Sequence, residues 1–118
     1  MDSNDLQMRL IKFSARILKL ASLLPPTYQG LHIAKQMTRC GTSLSANYGE
    51  VRSAESRSDF IHKLRIVLKE LNETEVWLNL VVESSWFSAE KLSEIVAESR
   101  ELCRIIAASL KTAGGFSR

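Results

Sequence analysis

The stretch that decides the fold runs from Met37 to Leu80 and reads MTRCGTSLSANYGEVRSAESRSDFIHKLRIVLKELNETEVWLNL. Apolar and small residues recur along it at alternating intervals of 3 and 4, the spacing that places side chains on one face of an α-helix. Two such series run through it: Ala34, Met37, Gly41, Leu44 and Tyr48, then Phe60, Leu64, Val67, Leu71, Thr74, Leu78 and Val81. The break between them predicts two long helices, roughly 28–51 and 57–83, joined by a brief turn.

The same period continues toward the N-terminus and predicts a first helix over roughly 4–24. Ser3, Asn4 or Asp5 is available as its N-cap. Pro25-Pro26 removes two backbone donors and disfavours helix at the preceding residue, so the chain must turn there. The apolar face of this helix comprises Leu6, Leu10, Phe13, Ile17, Leu20 and Leu24.

A fourth helix is predicted over roughly 88–113, beginning at Ser88. Gly114-Gly115 would end it, followed by a mobile tail. Trp86 and Phe87 lie in the loop before this helix and are expected to cover the apolar core at the end of the bundle. Its expected core face consists of Leu92, Ile95, Val96, Ser99, Leu102, Cys103, Ile106 and Leu110.

Short connections between four amphipathic helices favour antiparallel neighbours. Ser56 and Asp59 are spaced as a capping box at the start of the third helix. We therefore expect residues 1–118 to form one domain, an all-α, antiparallel up-down-up-down four-helix bundle. The small residues Ala34, Gly41, Ser45 and Ala46 would let the second helix approach a neighbour closely, either within the chain or in another subunit.

The composition is that of an ordinary globular protein, with 45% hydrophobic and 25% charged residues. The opening MDSNDLQ lacks a secretory signal, and no apolar run reaches the ~18 residues of a membrane span. We expect a cytoplasmic protein without a membrane partner. Cys40 and Cys103 lie in no CxxC or metal-spaced pattern, which favours small buried side chains over a disulfide or a nucleophile.

Positive charge is concentrated in the first part of the chain. Residues 1–69 hold 11 Lys/Arg and 5 Asp/Glu, whereas residues 70–118 hold 5 and 8. Such a surface could neutralise nucleic-acid phosphates, although a merely solvated face remains the alternative. The candidate phosphate-binding residues are Lys12, Arg16, Lys19, Lys35, Arg39 and Arg52.

Two clusters resemble catalytic or metal sites. Asp59 and His62 have the i,i+3 spacing of a di-iron ligand pair, but the second pair that such a centre needs is missing. Glu70 and Glu73, with Lys69 beside them, could be an acid/base pair, yet no cleft or nucleophile accompanies them. We therefore expect no enzyme activity, catalytic residue, metal or cofactor, and interpret the Glu70 cluster as a salt-bridge network within or between subunits.

Polar residues also surround the turn between the second and third helices. They predict that specific side-chain bonds hold this turn, with a ligand site as the alternative. Trp77 and Trp86 could each stack a base, but both are more typical of core or end-cap aromatics. The full candidate structural and interface network is Asn47, Glu50, Glu55, Arg57, Asp59, His62, Lys69, Glu70 and Glu73, and Arg52 lies beside it.

In these residues the chain resembles the four-helix-bundle proteins related to those encoded in 23S ribosomal RNA intervening sequences. The resemblance covers nearly the whole chain, although Val51 stands where the family often has glycine and Gly49 where larger residues are common. The residues that carry it are Gln36, Arg39, Thr42-Ser43, Ser45–Tyr48, Glu50, Ala54–Arg57, Asp59–Leu64, Leu68–Leu71, Glu73 and Trp77-Leu78.

The resemblance implies a homopentameric ring with a central channel and no known catalytic residues. A distantly related bundle, the accessory protein of diversity-generating retroelements, is a basic pentamer that binds a reverse transcriptase and nucleic acid. The expected function is therefore binding of RNA or DNA without strong sequence specificity. The alternative is a protein-interaction scaffold that docks a partner enzyme such as a reverse transcriptase.

Overall fold

The computed structural model describes residues 1–114 and contains four α-helices. They are α1 (Ser3–Ser22), α2 (Tyr28–Arg52), α3 (Arg57–Glu83) and α4 (Ser93–Thr112). Each helix packs against its neighbour in sequence, and α1 also packs against α4. The predicted antiparallel up-down-up-down bundle is confirmed, and it extends 44 Å along its long axis.

The core follows the predicted stripes closely. All six residues of the first predicted stripe, five in α1 and Leu24 just after it, are buried. In α3 the stripe from Leu64 to Val81 is buried, and Phe60 at its start is half-buried. Thr74 and Ser99 are fully buried within this apolar core, as their places in the stripes predicted.

The start and end of α1 differ from the prediction. Asp2, rather than Ser3, Asn4 or Asp5, is the N-cap: its carboxylate accepts from the Asp5 amide at 2.8 Å, and the Asp5 carboxylate accepts from the Asp2 amide. The helix ends at Ser22, and Leu23 and Leu24 donate to carbonyls three residues back. Pro25 explains this early end, because it excludes helical backbone at the residue before it.

Helices α2 and α3 begin with side-chain caps. Thr27 Oγ1 accepts from the Gly30 amide, and Ser56 Oγ accepts from the Asp59 amide at 3.1 Å. The Asp59 carboxylate accepts from the Glu55 amide instead of from Ser56 itself. The Ser56 cap was predicted correctly, but the short Asp59 side chain bonds one residue further back than in a capping box.

The connection from α3 to α4 is ordered by backbone geometry. Ser85 has φ of 60°, and the amides of Ser85 and Trp86 donate to the carbonyls of Val82 and Val81. This pattern is a Schellman motif, which turns the chain and brings the following residue onto the last helical turn. Trp86 and Phe87 accordingly pack against the core, as expected.

Helix α4 begins later than predicted. Ser88 Oγ accepts from the Lys91 amide, but residues 89–92 form turns and the regular helix starts only at Ser93. Its C-terminus has the expected glycine, since Gly114 lies at φ of 82° after the C-cap Ala113. Gly115 and the predicted mobile tail lie outside the described residues.

Candidate nucleic-acid interface

The candidate phosphate-binding residues of α1 form one row. Lys12, Arg16 and Lys19 are spaced by 4 and 3, so they project from adjacent turns of the same face. All three are exposed, and within residues 1–114 none of them forms an ion pair. These cations are therefore available to an anionic partner.

The three candidates on α2 divide into two kinds. Lys35 and Arg52 are exposed and have no ion-pair partner among the described residues. Arg39 instead bridges α2 and α3: its guanidinium contacts Glu70 at 3.5 Å and also binds Glu73. Two carboxylates thus already compensate the charge of Arg39.

The Arg39 contacts belong to a polar cluster between α2 and α3. Only 9% of the Glu70 side chain is exposed, so its carboxylate depends on the protein for a cationic partner. Glu73 also accepts from the Trp77 indole at 3.1 Å. Thr74 Oγ1 lies 3.1 Å from Cys40 Sγ and donates to the Glu70 carbonyl at 2.8 Å. This cluster links α2 to α3 through side-chain contacts.

Lys69 and Glu73 are i,i+4 neighbours on α3, but among the described residues they form no ion pair with each other. Glu73 binds Arg39 across the helix interface, while Lys69 is exposed and makes no ion pair in residues 1–114. The i,i+4 spacing allowed the pair, but an arginine from α2 satisfies Glu73 instead.

The polar residues near the α2–α3 turn act in separate contacts. Lys63 donates to Glu50 at 2.5 Å, which joins the end of α2 to the start of α3. Arg57 donates to the Ala113 carbonyl and so caps the C-terminus of α4. The Asn47 amide bonds Ser43 within its own helix, whereas Glu55 and His62 are exposed. These residues therefore form several separate local contacts at this end of the bundle rather than one continuous hydrogen-bond network.

Two contacts of α1 join residues that lie far apart in the chain. Arg9 donates to both carboxylate oxygens of Glu98 in α4, at 2.7 and 2.8 Å. The hydrogen bonds from Arg9 hold the pKa of Glu98 below its ordinary value, and the charge of Arg16 lowers it further. The partners lie 89 residues apart, so no local spacing could reveal the bridge.

The second contact is a polar layer between α1 and α2. Ser14 Oγ donates to the Gly41 carbonyl at 2.5 Å and lies 2.6 Å from Ser45 Oγ. A Cβ on Gly41 would lie 2.6 Å from Cγ2 of Ile17. Gly41 and Ser45 are therefore small because α1 packs closely against α2 within the chain.

The thiols are unsuited to nucleophilic chemistry at neutral pH. Burial raises the pKa of Cys40, and burial raises that of Cys103 to about 11. Both therefore stay protonated at neutral pH. Cys40 is buried, as expected, whereas Cys103 is half-buried with its sulfur 3.4 Å from Oδ1 of the Asn72 side chain.

The described residues offer no metal centre. Across positions 1–114 no group of three His, Cys, Asp or Glu side chains lies close enough to share an ion. Over the same range, none of the helices has the length and apolar character needed to cross a bilayer.

An apolar surface lies along the outer side of α1 and α2. We call it the outer α1–α2 face; it consists of Met8, Ile11, Leu18 and Leu31, which are 42–62% exposed. A groove of about 460 Å³ opens beside it, lined by residues of α1, the proline turn and α2. Leu18 and Leu31 line this groove together, and exposed apolar side chains beside a groove are a candidate interaction site.

Comparison with known proteins identifies similar chains. The family model described as "23S rRNA-intervening sequence protein" matches residues 3–108. A crystal structure from Bacteroides thetaiotaomicron, a protein of unknown function from the S23 ribosomal protein family, is 36% identical. The alignment covers 94% of this chain and 99% of that one, with a TM-score of 0.86. A comparison with curated proteins gave no match.

Proposed function

The chain belongs to the family of 23S rRNA-intervening sequence proteins, and from this premise we propose that it is a non-enzymatic, oligomeric nucleic-acid-binding protein of the cytoplasm. It binds RNA or DNA through phosphates, without strong sequence specificity. The observation that carries this proposal is the row of exposed cations Lys12, Arg16 and Lys19 on α1, none of which forms an ion pair with another residue in 1–114.

Lys35 and Arg52 extend the proposed phosphate-binding surface onto α2. Arg39 contributes less, because its binding to Glu70 and Glu73 already compensates its charge. Contacts to phosphates alone give affinity without base readout, which accounts for the expected lack of sequence specificity.

Self-association is the second part of the proposal. The outer α1–α2 face leaves four large apolar side chains in water, and covering them with a second copy would remove that surface from solvent. We propose a homopentameric ring, as the family resemblance implies. In a ring each cationic row is repeated about the symmetry axis, so several weak phosphate contacts act together.

Salt-dependent filter binding tests the nucleic-acid proposal. The wild-type protein should bind a single-stranded oligonucleotide at about 50 mM salt and lose affinity steeply by about 200 mM. The K12Q/R16Q/K19Q variant should bind more weakly, with a slope of log affinity against log salt reduced by about 2.

The charge control is R100Q/R104Q/K111Q, which removes three positive charges from α4, two of them from ion pairs with Glu75 and Glu101. Its slope of log affinity against log salt should equal that of the wild-type protein. Its affinity should fall only slightly, through the lower net charge. No binding by the wild-type protein at low salt, or binding that salt does not weaken, would contradict the proposal.

A protein-docking scaffold is the second candidate function, and the outer α1–α2 face favours it. On this alternative a partner protein covers Leu18 and Leu31, which are 42% and 62% exposed. Co-purification of one protein with the wild-type chain in the absence of nucleic acid, lost in L18S/L31S, would support docking over nucleic-acid binding.

A further inference from the structure

A second groove lies at the seam between α1 and α4, at the end where the α3–α4 loop returns. Its volume is about 350 Å³. The floor is apolar and includes Leu20, Leu92 and Ile95, all at least 93% buried. Phe87, half-buried, and Leu23, 60% exposed, complete the apolar lining.

Three cations surround this apolar lining. Arg16 and Lys19 come from α1, and Lys91 comes from the turn before α4. All three are exposed, and none forms an ion pair within the described part of the chain. The neighbouring carboxylate of Glu98 accepts both of its hydrogen bonds from Arg9, so Arg16 remains available to a ligand.

From this arrangement we infer that the α1–α4 groove binds one unpaired nucleotide of a single-stranded nucleic acid. The base lies against Phe87 and the aliphatic floor, while the flanking phosphates contact Arg16, Lys19 and Lys91. Aromatic and apolar side chains stack any base, and a basic rim follows the backbone. The inference rests on the proposed nucleic-acid binding. It adds the location of the binding site, a contact between Phe87 and a base, and a phosphate contact from Lys91.

The size of the groove selects this occupant over a partner helix. The groove is open to solvent, and its volume of about 350 Å³ is near the lower end for ligand sites, so it offers space for one small ring system. An α-helix with side chains is about 10–12 Å across and needs a long trough rather than a small pocket. A duplex would have to unpair and unstack a base before inserting it, which costs free energy. The site therefore prefers single strands.

The experiment compares K91Q with K111Q by fluorescence anisotropy. Both substitutions remove one exposed lysine from the α4 segment, but Lys111 lies in the last turn of the helix, far along the chain from the groove. K91Q should weaken binding of a short single-stranded oligonucleotide at low salt by about fivefold, and K111Q should leave it nearly unchanged. The same sequence as a duplex should bind the wild-type protein more weakly.

The base contact has its own readout. An oligonucleotide carrying one 2-aminopurine should change its emission on binding to the wild-type protein, because the base leaves its neighbours for Phe87. F87L keeps an apolar side chain but loses the aromatic face, so this change should be lost and affinity should fall about tenfold. Thermal unfolding followed by circular dichroism verifies that F87L is folded.

The outcomes separate this inference from the proposed function. Equal affinities of K91Q and K111Q, or an unchanged emission response in F87L, would overturn the groove as the site. If K12Q/K35Q/R52Q, which leaves the groove residues in place, loses affinity while K91Q and F87L do not, phosphate binding stands and the groove is not used. The wild-type protein could instead bind no oligonucleotide but bind an acidic peptide, with that binding lost in K91Q. Nucleic acid would then be the wrong occupant, and both proposals would fail.

Discussion

Gly30 lies where helix α2 meets the proline turn, and at this residue a single methyl group would collide with backbone. A Cβ there would be 1.9 Å from the Pro25 carbonyl oxygen. Gly49, in the last two turns of the same helix, has room, since its Cβ would be 3.6 Å from the Gln7 side-chain oxygen. Two glycines of one helix thus have opposite packing constraints.

Gly30→Ala should lower the free energy of unfolding by about 2 kcal/mol, because the proline turn cannot move away without shifting α1 or α2. Gly49→Ala should raise it by about 0.5–1 kcal/mol, since alanine is the better helix former. Urea denaturation measures both. A stabilised Gly30→Ala variant would show that the turn is more adaptable than its geometry indicates.

The caps show which residue-scale features a sequence reveals. Ser56 was predicted because its spacing to Asp59 and the stripe that follows are both local. Asp2 was missed because Ser3, Asn4 and Asp5 are equally good caps, and only the first turn of the folded helix selects among them. The Schellman motif at Ser85 was missed because serine rarely adopts positive φ.

At the scale of helices, Arg39 is the joint between α2 and α3. Arg39→Met keeps the aliphatic stem but leaves the buried Glu70 carboxylate without its cation. We expect a loss of about 1–3 kcal/mol in the free energy of unfolding, less than for a fully buried pair because 49% of the Arg39 side chain is exposed. Chemical denaturation measures this loss.

Lys35→Met is the matched control, one turn earlier on α2 and without an ion pair among the described residues. It should change the free energy of unfolding by less than about 0.5 kcal/mol. Adding Glu70→Gln to Arg39→Met should recover part of the loss, because the uncompensated charge is gone. No recovery in that double variant would contradict the assigned role of Arg39.

The bridge between α1 and α4 makes stability depend on pH. Because Arg9 lowers the folded-state pKa of Glu98, the bridge stabilises the protein above the unfolded pKa of a glutamate. This stabilisation is lost as the pH falls through the folded pKa. Glu98→Gln should therefore cost about 1 kcal/mol at pH 7 and less at pH 3, where more of the Glu98 carboxyl group is protonated. Thermal unfolding at both values measures this, and an equal cost at both would exclude the charge as its source.

At the scale of the whole molecule, the outer α1–α2 face should govern assembly. Light scattering should give a pentamer for the wild-type chain at micromolar concentration, whereas L18S/L31S should be monomeric because the apolar contact is lost. L18M/L31M keeps the apolar volume and should still assemble. A monomeric wild-type chain would remove the multivalency on which the proposed binding depends.

The four helices and the core stripes could be predicted because apolar residues recur with the helical period of 3.6 residues within each segment, independently of the other segments. The candidate site was predictable only in part. The cationic row on α1 is local, but Lys91 joins Arg16 and Lys19 only after the chain has folded back across the bundle. Arg39 was predicted to bind phosphate, but in the folded protein it binds Glu70 and Glu73 instead. Its local sequence does not reveal these partners, which come from α3.

The seam between the first and last helices also has a consequence for the order of folding. Arg9 and Glu98 are 89 residues apart, whereas α2 and α3 meet across a short turn and contact each other extensively. Contacts distant in the chain are slow to form because a long loop must close first. We therefore expect the α2–α3 hairpin in the transition state and the α1–α4 seam only afterwards. In stopped-flow kinetics Glu98→Gln should speed unfolding and leave the folding rate nearly unchanged, and slower folding would reverse that order.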